Sequence, residues 1–179
     1  MPQLERDYVT SGRLQIAYRY LPLDKHPHAL GAARGAECAK RQGHFWPMHD
    51  LLFTTGAELD PVSLHATAAS LNLDDASYTE CLDEPASHEA VSRDLAQARA
   101  LGVESTPAFL LGSRLHDGRV QVSRAFYGAL SLQQFRTEVE RALRPSASSR
   151  IWSFFSWSGV ASEPRPLSRF TREAVNALN

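Results

Sequence analysis

The sequence predicts an α/β fold in which one strand is followed by an all-helical stretch and then by a β-β-α unit. Three observations predict it. Leu14, Ile16, Tyr18 and Tyr20 recur at every second position, which is the period of a strand. Between 27 and 102 the apolar residues keep helical spacing, punctuated by Gly43, Asp60-Pro61, Pro85 and Gly102. After 107 the period returns to that of strands, with Asp117-Gly118 as a hairpin signal.

Composition is compatible with that class. A chain of 179 residues suits one domain with an appendage. Its hydrophobic fraction of 43% and charged fraction of 22% are those of an ordinary globular protein. No run approaches the roughly 20 apolar residues of a membrane helix. Basic and acidic residues number 19 and 20, for a net charge of −1, so no basic field invites nucleic acid. Two cysteines, Cys38 and Cys81, permit at most one internal disulfide and exclude a four-cysteine zinc site. The first seven residues are polar and hold no signal-peptide core, so the chain as written reads as cytoplasmic; a start farther upstream would make it exported.

Each element follows from local chemistry. Residues 3–11 read as the end of a helix closed by Ser11-Gly12, because glycine accepts the left-handed conformation that stops a helix. A strand follows over 14–21, and Pro22, which has no amide to donate, ends it. Ala29, Ala32, Ala33, Ala36 and Ala39 give residues 27–42 strong helix propensity and a close-packing face. Phe45, Trp46, Met48, His49, Leu51, Leu52 and Phe53 form a second, bulkier helix with Phe45 and Trp46 as core anchors. Asp60-Pro61 opens a third, as cap and first helical residue, with Leu64, Ala68 and Leu71 on one face. A short helix over 76–82 comes next. Pro85 then starts a long one, with Val91, Leu95, Ala98 and Leu101 as its stripe. Residues 108–111 read as a buried strand, 112–119 as a hairpin loop and 120–126 as the return strand. Ser131 caps a last helix that turns Leu132, Phe135, Val139 and Leu143 inward.

Pro145 ends the domain, which covers 1–144 with a helical insertion over about 24–102. Residues 145–179 read as an extension, partly disordered. They hold an aromatic run at 151–157 (Ile-Trp-Ser-Phe-Phe-Ser-Trp) and a weak helix over 168–178. The run suits a membrane surface, a partner or a strand lying in a gap of the sheet.

The order of motifs carries a family resemblance. Tyr18-Arg19-Tyr20-Leu21-Pro22-Leu23, His26-Pro27-His28-Ala29, Glu37-Cys38-Ala39, Gln42-Gly43-His44-Phe45-Trp46, His49-Asp50-Leu51-Leu52-Phe53 and the segment from Leu101 through Ser105-Thr106-Pro107 to Phe109 occur in sequence. From about 3 to 143 the chain resembles the bacterial DsbA-like thiol–disulfide oxidoreductases. The resemblance implies a thioredoxin-like fold with an all-helical insertion. In that family the chemistry comes from a C-x-x-C pair just after the first strand. The match here begins partway along the following helix, so the first strand and the pair are expected to be missing and no catalytic residue is assigned.

The resemblance further implies a cis bond at Thr106-Pro107, with Ser105, Thr106 and Pro107 forming an edge that pairs with extended, cysteine-containing polypeptides. A redox partner protein is implied as well. A helix N-terminus favours a thiolate by favouring negative charge. Cys38 falls mid-helix and Cys81 near a helix end, so neither has that setting. Two roles stay open for them. They are buried apolar residues, or they form the structural disulfide that some exported relatives carry in the insert. Seven histidines show no short helical ligand spacing, so neither metal nor cofactor is expected. His49, beside Trp46, reads as a packed residue that donates a hydrogen bond. The expectation is a redox-inactive member of an oxidoreductase family. The alternatives are a peptide-binding, chaperone-like module and a domain severed from a larger membrane protein.

Overall fold

The computed structural model describes residues 2–54 and 59–144. The extension at 145–179, its aromatic run and its weak helix lie outside the described residues. Two compact units divide the chain, one formed by residues 2–18 and 99–144 and the other by residues 19–98.

The first unit opens with α1 (Pro2–Leu4), which widens into a π-helical turn at Glu5–Val9. Gly12 then takes a φ of 72° and turns the chain out of the helix, as Ser11-Gly12 predicts. Two strands follow in sequence, β1 (Ala108–Arg114) and β2 (Val120–Tyr127), in an antiparallel sheet of two strands. Ala108 faces Tyr127 and Arg114 faces Val120. The register slips between Leu111 and Gly112. Here a side chain has no room, since a Cβ on Gly112 would lie 2.3 Å from the Gln121 carbonyl oxygen. β1 thus runs three residues beyond the predicted strand and the turn shrinks to 115–119. The Leu115 N–H donates to the Arg119 carbonyl at 2.8 Å, and Asp117 accepts from the Arg119 N–H at 3.0 Å. The last helix, α7 (Leu132–Leu143), starts on a capping box. Leu4, Tyr8, Phe135 and Val139 form the core of this unit, with Leu14, Phe109, Leu111 and Phe126 packed against it. Phe109 and Phe126 stack at 5.3 Å, and Phe135 meets both edge-on.

The strand predicted at 14–21 is not one. The segment forms no regular element, yet its burial alternates as a strand's does, with 14, 16 and 18 half-buried and 15 and 17 exposed. It has no ladder, because no strand among the described residues lies beside it. Sequence periodicity reports which face is covered, whereas a ladder needs a neighbour.

The second unit is helical: α2 (Ala29–Arg41), α3 (Phe45–Thr54), α4 (Pro61–Ser70), α5 (Asp75–Asp83) and α6 (Pro85–Ala100), whose last two residues belong to the first unit. α2 packs on α3, α4 and α5 through its small face, where Ala32, Ala36 and Ala39 are buried. Gly35 belongs to the same face, and Tyr78 of α5 fills the space a side chain there would take. Phe45, Trp46 and Met48 are buried as anchors of α3. Asp60 caps α4, accepting from the Val62 and Ser63 amides, and Asp74 caps α5 through the Ser77 amide.

Candidate functional site

Two places carry chemistry that the sequence singles out. The first is the approach to β1 in the first unit. Gly102, at φ 68°, closes α6, and buried Val103 pins the following loop. Ser105, Thr106 and Pro107 stand exposed on it, and the Thr106–Pro107 bond is cis. The Pro107 carbonyl accepts the Gly128 amide at 2.8 Å, which fixes the loop to the end of β2. Among the described residues the backbone groups of Ser105 and Thr106 make no hydrogen bond. Such an edge can pair with an extended segment through main-chain hydrogen bonds.

The second place is the pair of cysteines. Cys38 on α2 and Cys81 on α5 are joined, with sulfurs 2.04 Å apart and Cα atoms 5.7 Å apart. They are 1% and 4% exposed. The sequence leaves open whether they form a bridge or two separate buried residues, and the structure selects the bridge. Their sulfurs sit in the packed interior of the helical unit, with Cys38 mid-way along α2 and Cys81 in the last turn of α5. No thiol is left among the described residues to act as a nucleophile.

The histidines are dispersed. His49 lies 5.3 Å from the Trp46 ring and 4.7 Å from the Phe53 ring, with Nδ1 3.0 Å from Asp50 Oδ1. His65 Nδ1 lies 3.3 Å from Asp75 Oδ1. Among the described residues no group of three or more His, Cys, Asp or Glu could hold a metal.

One cluster escapes sequence reading. Within the helical unit the Tyr20 hydroxyl donates to Glu37 Oε2 at 3.0 Å, and Lys40 Nζ donates to both Glu37 oxygens at 3.2 Å. The Tyr20 amide donates to Asp94 Oδ2 at 2.9 Å, and Arg19 Nε lies 3.7 Å from Asp94 Oδ1. Burial raises the Asp94 carboxyl above its ordinary range, opposed by the Tyr20 amide and the Arg19 charge. Glu37 and Lys40 announce themselves by their i, i+3 spacing on α2. Nothing local announces Asp94, which is 74 residues from Tyr20. The cluster anchors the start of the helical unit to α6.

Comparison with known proteins agrees with this architecture. A family model described as "Thioredoxin" matches residues 1–125. The Na(+)/H(+) antiporter NhaA of Herminiimonas arsenicoxydans is 44% identical over 101 residues, which are 56% of this chain and 16% of that protein. The Na(+)/H(+) antiporter NhaA 3 of Salinispora tropica is 36% identical over 129 residues, 70% of this chain and 20% of that protein. The chain therefore spans about a fifth or less of the curated relatives it matches. Among solved structures, alpha-DsbA1 of Wolbachia pipientis superposes with a TM-score of 0.64 at 19% identity, covering 79% of this chain and 74% of that one. That likeness is one of fold and accounts for the helical insertion. The chain belongs to the thioredoxin family, in the DsbA-like form that carries an all-helical insertion.

Proposed function

We propose that this chain is a redox-inactive, DsbA-like thioredoxin-fold domain that works as an accessory segment of a larger membrane polypeptide. The observation that carries the first half is the Cys38–Cys81 bridge. The chain's two cysteines are joined to each other in a packed interior, 43 residues apart, so neither is placed to attack a substrate disulfide. Disulfide exchange needs an accessible thiolate and a second thiol to resolve the mixed disulfide. An insulin-reduction assay tests this. The expected rate equals that of the Cys38→Ser, Cys81→Ser double variant; a rate clearly above it overturns the reading.

Support for the second half comes from the relatives, in which the matching segment is a small part of an antiporter polypeptide. Sequencing the transcript on the 5′ side of the Met1 codon is the direct test. An open frame continuing into apolar, membrane-length segments is the expected result, and an in-frame stop immediately upstream overturns it.

A second reading is favoured by the exposed Ser105-Thr106-Pro107 edge. There the domain holds extended polypeptide without altering its sulfurs. Binding of a fluorescent, unstructured cysteine peptide reports on it. Loss of binding on Thr106→Pro, which removes the amide at that position, supports the reading, and unchanged binding removes it.

A further inference from the structure

We propose that the outer edge of β2, with the groove between it and α7, binds an extended segment of another polypeptide that carries a carboxylate and a large apolar side chain two positions apart. The site belongs to the first unit. It uses a different edge from Ser105-Thr106-Pro107 and does not rest on the functional reading above. Three observations carry it.

The first is an unused row of main-chain groups. Among the described residues β2 pairs with β1 along one side and with nothing along the other. Strand amides and carbonyls point alternately to the two sides, so every second pair along β2 is directed outward. Among the described residues nothing outside β1 bonds to the backbone of 123–126. No proline or lysine guards the strand, and its one charged side chain, Arg124, is held by Glu138 of α7.

The second is the groove itself. Residues 123–126, Leu130, and Gln134 and Glu138 of α7 line an open groove of about 470 Å³, a size natural ligand sites share. Gln134 and Glu138 are one helical turn apart and so share a face of α7. Phe126 and Leu130 are half-buried and give the groove an apolar wall. The Phe126 ring is fixed by its contacts with Phe109 and Phe135. A strand added to β2 would turn every second side chain to this wall.

The third is charge. Glu138 is shared by Arg124, through Nε, and by Arg141, through Nη1 at 2.8 Å. Two cations thus meet one anion. A guanidinium has five N–H donors, and these contacts use one from each arginine. Gln134 Oε1 is taken by the Ser131 amide, which leaves the Gln134 NH₂ group as a further donor. Spare donors and spare positive charge match a carboxylate. Arg124 and Phe126 are two positions apart on one face of β2, so a partner strand meets them with side chains of the same spacing. Its carboxylate pairs with Arg124 and its apolar group packs on Phe126 and Leu130. A second copy of β2 would bring another arginine and no carboxylate.

Fluorescence anisotropy of the full chain with the labelled peptide Ser-Thr-Ile-Thr-Asp-Thr-Ile-Thr-Ser tests the proposal. The peptide sets an isoleucine on each side of its aspartate, on the same face, so either strand direction suits it. Two control peptides leave the protein unaltered: one has lysine for the aspartate, the other proline for the two threonines beside it. The expected result is saturable binding, weakened about fivefold or more by the lysine peptide and by Arg124→Gln, and abolished by the prolines. Hydrogen exchange places the peptide: it should slow alternate amides at 123–126 and leave 105–106 unchanged. No saturable binding, equal binding of the lysine peptide, or slowing at 105–106 in place of 123–126 overturns the proposal. So does a dimer whose 123–126 amides are already protected without peptide, since a second copy then fills the edge. The peptide comparison decides the matter if Arg124→Gln fails to fold.

Discussion

The backbone N–H of Tyr20 donates to the carboxylate of Asp94 at 2.9 Å, joining the first residues of the helical unit to α6. Burial is the largest influence on that carboxyl and raises it above its ordinary 3.8; the Tyr20 amide and Arg19 oppose the rise without cancelling it. The folded protein then holds the proton more tightly than the unfolded chain. The associated stabilisation is complete at pH below about 3.8 and is lost as pH rises through the raised value. Asp94→Asn keeps an oxygen for the Tyr20 amide and cannot titrate. Its thermal melting should flatten with pH just above 3.8, where the natural chain loses stability as pH rises. An unchanged pH slope in that window removes Asp94 as the source.

The Cys38–Cys81 bridge closes a loop with a sequence separation of 43. In the chain-entropy picture a loop of that size is worth about 4 kcal/mol. Replacing both cysteines with alanine should lower the free energy of unfolding by about that amount, and a reductant should bring the natural chain to the same value. Urea denaturation of the two proteins, with and without dithiothreitol, checks both statements.

Gly35 and Tyr78 are coupled. A Cβ on Gly35 would sit 2.5 Å from the Tyr78 hydroxyl oxygen, and that hydroxyl is buried without a hydrogen-bond partner among the described residues. Burial pushes its pKa up to about 12. Alanine normally favours a helix over glycine by about 1 kcal/mol. Here Gly35→Ala should instead destabilise by about 1–3 kcal/mol, because Tyr78, 0% exposed, cannot move aside freely. Tyr78→Phe removes an unsatisfied group and should be neutral or stabilising. The Gly35→Ala, Tyr78→Phe double variant should recover most of the loss. A double-mutant cycle by thermal melting reads the coupling directly.

Ser131 Oγ accepts the Gln134 amide at 3.3 Å, and Gln134 Oε1 accepts the Ser131 amide at 2.9 Å. Ser131→Ala should cost about 1 kcal/mol. Measured by thermal melting, Gln134→Ala in the Ser131→Ala background should cost much less than in the natural chain, since the two groups act as a reciprocal pair.

What the sequence made legible is what local chemistry decides. Asp60-Pro61, Ser131 and Gly102 mark helix ends because a cap or a left-handed residue acts within a few positions of itself. Phe45, Phe135 and the alanine face are legible because burial follows period; Phe53, 68% exposed, does not follow it. The ladder of 14–21 was not, since alternation says which residues are covered and nothing of who stands alongside. The slip at Gly112 depends on the Gln121 carbonyl across the sheet, and the Asp94 contact on a residue 74 positions away. Of the candidate site, Thr106-Pro107 was legible through the order of surrounding motifs. The choice between bridged and separate cysteines was not, because it rests on how closely α2 and α5 approach.

The closed pairing of both cysteines makes the protein unusually easy to tag. Any cysteine introduced at the surface, at Thr106 or Ala17 for instance, would be the sole sulfhydryl open to maleimide chemistry while the natural pair stays joined. Spin labels or dyes could then be placed one at a time on an otherwise unaltered chain, without first stripping its native sulfurs.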